Sequence, residues 1–206
     1  MLPETRLSAE VFAQLFKKDE EIARAVAAQN CMHCGGPLHV ANYHRKPRGA
    51  VLAAAGEAFT LRHSLCCGRQ GCRKRTLPPS LRFLGRRVYL EAVVLFATVL
   101  AQAAQLLRAA REATGVPVWT LRRWLAWWPG EVPTTPWWTQ LRALFVPPPP
   151  EETQLPSSFV LRLSEVSAQP TDVAWLAARC LAPGTTRSPI DSARFVRDVA
   201  GRELGL

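Results

Sequence analysis

Acidic side chains are almost missing from one quarter of this sequence. Between positions 41 and 90 stands a single acid, Glu57, against eleven lysines and arginines, so that window carries +10, the whole net charge of the 206-residue chain. Residues 1–40 sum to −1 and residues 91–206 to +1. An excess so localised argues for a face that meets a polyanion rather than an evenly solvated surface. Other absences narrow the class further. The start, "MLPETRLSAEVF", lacks a basic stretch followed by an apolar run, so no secretory signal is read there. The most apolar stretch, residues 88–107, is broken by Glu91, Gln102 and Gln105 and follows an arginine-rich run, which favours a buried helix over a membrane span. No internal repeat is visible.

Hydrophobic residues make up 48% of the chain, enough for a buried core and against wholesale disorder. The wealth of alanine, arginine, leucine and proline points to a high-GC, bacterial genome. The expected compartment is the bacterial cytoplasm, at the nucleoid when bound, where thiols stay reduced and clustered cysteines signal metal more often than disulfides. The expected architecture is mainly α with a small β zinc ribbon. An N-terminal helix (1–29) precedes the ribbon (30–80), a helix-turn-helix domain (81–146), a proline-rich linker (147–158) and a C-terminal helical tail (159–206). Residues 8–28 place Val11, Phe12, Leu15, Phe16, Ile22 and Val26 at helical spacing, with Ser8 as the cap. "PLHVANY" and "AFTLRHSL" alternate like the two strands of a hairpin around a basic loop. A block this rich in Gly, Pro, Cys and Arg buries little apolar surface and needs something else to hold it. In the tail, "TDVAWLAARCLA" and "SARFVRDVAGREL" read as two short helices, the first placing Cys180 in the core.

The other five cysteines fall at 31, 34, 66, 67 and 72. "CMHCGG" is a knuckle, two thiols two residues apart followed by glycines that let backbone N–H groups turn toward the sulfurs. "CCGRQGC" supplies a looser second knuckle. The pattern predicts a four-thiolate structural zinc site of Cys31, Cys34, Cys67 and Cys72, closed to water and therefore not catalytic. Cys66 stands as an alternative to Cys67, because adjacent strand residues face opposite ways. His33, His39, His44 and His63 are read as surface or phosphate-contacting residues rather than ligands.

"RAAREATGVPVWTLRRWLAWW" (108–128) has the form of a helix-turn-helix. Gly115 suits the positive-φ turn and Pro117 the first turn of the following helix. Val118, Leu121, Leu125 and Trp128 form the expected buried stripe with Trp124 beside it. That leaves Trp119, Thr120, Arg122, Arg123 and Ala126 facing out, near the end of a recognition helix that meets bases. Trp137 and Trp138 are expected to fold back on the three helices.

"C-x2-C-G-G-x-L-H", "YHRKPRG", "SLCCGRQGCRKRTLPPSLRFLGRRVYL" and "REATGVPVWTLRRWLAWW" together resemble the zinc-ribbon and helix-turn-helix modules of insertion-sequence transposases and other small bacterial proteins of mobile elements. The resemblance covers residues 30–145 and implies that the module binds transposon ends or a related DNA, with the four cysteines as ligands and Arg122 and Arg123 reading DNA. Pro117 departs from it, standing where a Ser or Thr often caps the recognition helix. No catalytic residue is expected. A transposase core needs three carboxylates on alternating buried strands, which the sequence lacks, and Ser80 and Tyr89 have no clustered Arg/His frame to make either a recombinase nucleophile. The expected function is therefore that of a non-catalytic accessory protein binding double-stranded DNA, with any chemistry in a separate transposase or integrase chain. Arg45, Lys46, Arg48, Arg73, Lys74, Arg75, Arg82, Arg86 and Arg87 would neutralise phosphates. A transcriptional regulator of similar build, an RNA-binding ribbon that stacks on unpaired bases and a protein–protein adaptor are the competing readings.

Overall fold

The computed structural model describes residues 9–46, 56, 59–84, 89, 91–102, 106–145, 154–166, 170–186 and 195. Seven α-helices and a small set of antiparallel strands make up the described chain: α1 Ala9–Ala28, β1 Leu38–Val40, β2 Tyr43–His44, β3 Leu61–Arg62, β4 Leu65–Cys67, β5 Arg75–Thr76, α2 Glu91–Gln102, α3 Leu107–Thr114, α4 Val118–Gly130, α5 Pro136–Arg142, α6 Ser157–Val166 and α7 Pro170–Leu181.

Helix α1 forms where the sequence pattern places it, but its buried stripe carries a charge. Phe12, Leu15, Asp19 and Ile22 are all buried along it. It ends in a turn closed by Asn30, whose φ of 62° is a conformation asparagine tolerates. The expected hairpin is present and runs in two short ladders. Leu38 pairs with Cys67 and Val40 with Leu65, then Tyr43 pairs with Arg62 and His44 with Leu61. Between the ladders the Ala41 N–H donates to the Ser64 carbonyl (2.8 Å) and the Ser64 N–H to Asn42 Oδ1 (3.0 Å), so the pairing bends without being lost. β5 joins β4 on its other side.

What holds this block is α1. Phe12 meets Phe59 with ring centroids 5.3 Å apart, and Phe16 meets His63 at 5.4 Å. Asp19 accepts hydrogen bonds from Ser80 Oγ and the Leu81 N–H, both at 2.6 Å, and from Arg82 Nε at 2.9 Å. The Arg82 guanidinium lies among the rings of Phe16, Phe83 and Phe12 and donates to the Leu61 carbonyl. Ser80 and Tyr89 are both buried, Ser80 in this network and Tyr89 edge-on to Trp124 at 5.0 Å.

The apolar run that raised the membrane question becomes α2, a twelve-residue helix, and no described helix is long and apolar enough to cross a membrane. α2 is apolar on most sides because it serves two cores. Val94, Ala97 and Ala101 join Ala110, Val116, Leu121 and Trp124 of the α3–α4 unit. Leu95 instead faces Trp128, Trp138, Leu141, Phe159, Leu163, Leu176 and Cys180. Two polar residues of α2, Thr98 and Gln102, have partners. Thr98 Oγ1 accepts from Trp128 Nε1 (3.0 Å), and the Gln102 amide donates to the carbonyls of Gln154 and Leu155 while accepting from the Ser157 N–H.

Trp138 is buried as expected, and Cys180 is core. The expected helix "TDVAWLAARCLA" is α7; ahead of it stands α6, which the sequence reading did not foresee and which begins at Ser157, inside the expected linker. Helix α7 also touches α1 through a cluster of Leu15, Ile22, Leu81, Ala178 and Ala182, and the turn after it donates from Thr186 Oγ1 to the Leu77 carbonyl. Of the second expected tail helix only Phe195 lies within the described residues, as does only the 154–158 part of the proline-rich linker.

Candidate metal centre and nucleic-acid interface

Each knuckle is built by its backbone. The Cys31 N–H donates to the Gly36 carbonyl (2.8 Å), and the N–H groups of Cys34 and Gly35 return to the Cys31 carbonyl, closing a tight turn. Gly35, directly after the second cysteine, has φ of 67°. In the second knuckle the N–H groups of Cys72 and Arg73 fold back to the Arg69 carbonyl. The residue directly after its second cysteine is again left-handed, but it is Arg73, with φ of 46°. In both knuckles the next N–H, from Gly36 or Lys74, is aimed at the cysteine sulfur before it. Gly36 has a second constraint: a Cβ there would sit 3.1 Å from the Arg69 Cβ and 3.2 Å from the Cys67 sulfur. Arg69 clips the knuckles together by donating to the Cys34 carbonyl at 2.8 Å.

Cys31, Cys34, Cys67 and Cys72 thereby bring their sulfurs within 4.8 Å of one another. Cys31 and Cys72 are 3.8 Å apart and Cys34 and Cys67 3.4 Å, far beyond the roughly 2.05 Å of a disulfide. A tetrahedron with sulfurs about 2.3 Å from its centre has edges of about 3.8 Å, so the cluster is compatible with a bound metal ion. Its electrostatics agree. The Gly36 N–H and the Cys67 side chain bring the Cys34 thiol down to about 7. The Arg69 N–H favours the Cys67 thiolate, yet burial and the other three sulfurs push that thiol up to about 12. Four sulfurs this close ionise together only around a cation. Cys66 is not part of the set. It projects from the other side of β4 and lies against the Arg73 carbonyl at 3.4 Å, which leaves Cys67 as the clustered residue.

The expected DNA-contacting residues divide. Lys46, Arg73, Lys74 and Arg75 are exposed, and Arg75 lies over the Tyr43 ring. Arg45 is half-buried over the Phe83 ring. Arg48, Arg86 and Arg87 lie outside the described residues. Arg82 is a correction: it is 1% exposed and ion-paired with Asp19, because its segment threads beneath α1, so it cannot reach a phosphate. His63 is likewise buried rather than on the surface.

On α3 and α4 the expected turn is present. Gly115 closes α3 with φ of 68°, its N–H donating to the Arg111 carbonyl. Pro117 occupies the cap position of α4 rather than its first turn, with φ −60° and ψ 142°, and its carbonyl accepts from Thr120 and Leu121. Thr120, Leu121, Trp124 and Trp128 are the buried face, while Val118 and Leu125 are only half-buried. Thr120 is thus a second correction: it stands one residue before Leu121 on the inward side and is 2% exposed. Trp119, Arg122, Arg123 and Ala126 are exposed and recur at i, i+3, i+4 and i+7, which makes them one stripe. Near the second knuckle and on α3, sequence reasoning passed over the exposed cations Arg69, Arg108 and Arg111. The signal was present in "LRAAREAT", where two arginines three apart bracket the buried Ala110.

Fold and site together define a mostly helical protein with a small antiparallel sheet and a four-cysteine cluster. Compared with known proteins, the chain matches no family model, no curated protein and no solved structure.

Proposed function

We propose that the chain is a non-catalytic protein that binds double-stranded DNA as an accessory of a transposon or related mobile element. In this reading Cys31, Cys34, Cys67 and Cys72 hold a structural zinc, the hairpin and its two knuckles act as a zinc ribbon, and α2–α4 act as a helix-turn-helix. The observation that carries it is the α4 stripe. One face of the helix is sealed into the core by Thr120, Leu121, Trp124 and Trp128, and the other offers Trp119, Arg122 and Arg123 to solvent beside a three-residue turn. A helix presented in this way enters the major groove. Arg69, Arg73 and Lys74 on the second knuckle supply a separate source of positive charge. Zinc suits four thiolates, and with all positions taken by protein its contribution is structural, on the order of 10 kcal/mol toward ordering the knuckles.

The test joins metal analysis to a salt titration. Purified chain should carry one zinc, retained in Cys66→Ser and lost in Cys67→Ser. If about six phosphates are contacted, the logarithm of duplex affinity should fall with that of salt at a slope near about −5. Charge reversal at Arg122 and Arg123 should abolish binding. A salt-independent affinity, or binding unaffected by that reversal, sinks the reading.

A further inference from the structure

We infer that Trp119 reads a thymine: its indole contacts the C5 methyl in the major groove, directly beside the base that Arg122 reads. This deepens the DNA-binding reading above and rests on it. Trp119 is 62% exposed on a helix that buries two other tryptophans, Trp124 and Trp128. It is the second residue of α4, so it lies in the part of the helix that reaches base edges.

The neighbouring side chains divide the work. The Arg123 guanidinium lies 5.1 Å from the Trp119 ring centroid, a cation–π contact that covers one ring face. Arg123 is therefore a positioning residue for the indole rather than a base reader. Arg122, exposed and one turn on from Trp119, is the donor left for a base. Ala126 ends the stripe with a methyl group, which lets the helix backbone approach the groove closely. Arg108 and Arg111, exposed on α3, are placed for the flanking phosphates.

In the major groove guanine alone offers two acceptors to a guanidinium, and thymine alone of the four standard bases offers a methyl group to an apolar surface. Residues three apart on a helix are separated by about 4.5 Å along its axis. That is close to the roughly 3.4 Å between successive bases of one strand. The Trp119–Arg122 pair thus fits a thymine adjacent to a guanine. Arg123 lies over one indole face, which leaves the other face and the ring edge for the base.

Thymine-to-uracil substitution isolates the methyl. A duplex is enriched from a randomised pool on the full chain and remade with deoxyuridine at one thymine at a time. One position should weaken binding about fourfold, the equivalent of roughly 0.8 kcal/mol for one buried carbon. Trp119→Ala should bind the two versions equally, and its melting should be unchanged because the side chain is exposed. Arg122→Ala should keep the methyl preference and lose the guanine beside it. Equal binding of both versions at every position by the unmodified chain overturns the inference, as does a methyl preference that survives Trp119→Ala, an enriched duplex lacking thymine, or tighter binding of the single strand. Failure to enrich any duplex is a different result, and it removes the DNA-binding reading itself.

Discussion

Asp19 ties α1 to the segment 80–82. Its carboxylate accepts from Ser80, Leu81 and Arg82, and both partners of the ion pair are fully buried. Burial draws the Arg82 guanidinium below its ordinary value and Asp19 opposes that shift, so removing the carboxylate takes away the counter-charge with which this buried guanidinium is ion-paired. Asp19→Ala should cost about 3–5 kcal/mol in a denaturant titration. His63 makes a second prediction. Burial first, and then the Arg82 guanidinium, hold its imidazole below the ordinary value, with Asp19 and Glu20 opposing, and its Nε2 has no hydrogen-bond partner among the described residues. An unfolded histidine titrates near about 6.5. The unfolded chain therefore takes up this proton first. The stability due to the neutral ring is complete above about pH 6.5 and is lost as the pH falls through the lower folded value. Melting curves at about pH 7.5 and 5.5 should show His63→Gln losing less on acidification than the unmodified chain.

At the scale of elements, the two knuckles solve one problem with different residues. Each needs a left-handed position after its second cysteine so that the following N–H can face the sulfur. Gly35 fills that position at no steric cost, and Arg73 fills it with strain. Arg73→Gly should raise the midpoint of thermal unfolding by relieving strain on the order of 1 kcal/mol, while lowering duplex affinity through the lost charge. A variant that is destabilised instead would show that the Arg73 side chain holds the knuckle in some other way. The α3–α4 pair shows the same economy: a glycine turn and a proline cap fix the angle at which the exposed stripe is presented.

For the whole molecule, the cysteine module and the helical core are stabilised by different means. The two largest apolar clusters are drawn from Leu84 to Leu181 and contain no residue of the hairpin or knuckles. Removing metal with a chelator should therefore leave most of the helical circular dichroism intact. It should also expose the thiols of Cys31, Cys34, Cys67 and Cys72 to a thiol reagent and weaken duplex binding. Global unfolding on chelation would mean that the α1–Asp19 contact transmits the loss to the helices.

The local patterns were legible in the sequence because they rest on neighbours in the chain. The α1 stripe, the hairpin partners, the Gly115 turn, the outward Arg122 and Arg123, and the two knuckles all follow from spacing and from the φ values that glycine permits. The polar breaks at Glu91, Gln102 and Gln105 also marked the 88–107 run as a buried helix, and α2 occupies Glu91–Gln102 of it. What spacing could not say is which charged or polar residues would be taken inward. Arg82 belonged by composition to the cationic window, yet α1 arrives from more than sixty positions earlier and seats Asp19 on it. Thr120, by contrast, stands four and eight residues before Trp124 and Trp128, so helical spacing alone already sets it on the inward face of α4. Cys66 stood as an alternative to the expected Cys67 until the β1–β4 register turned the Cys67 sulfur toward Cys34. Burial of a polar group depends on which distant element supplies its partner, and only the folded chain brings the two together.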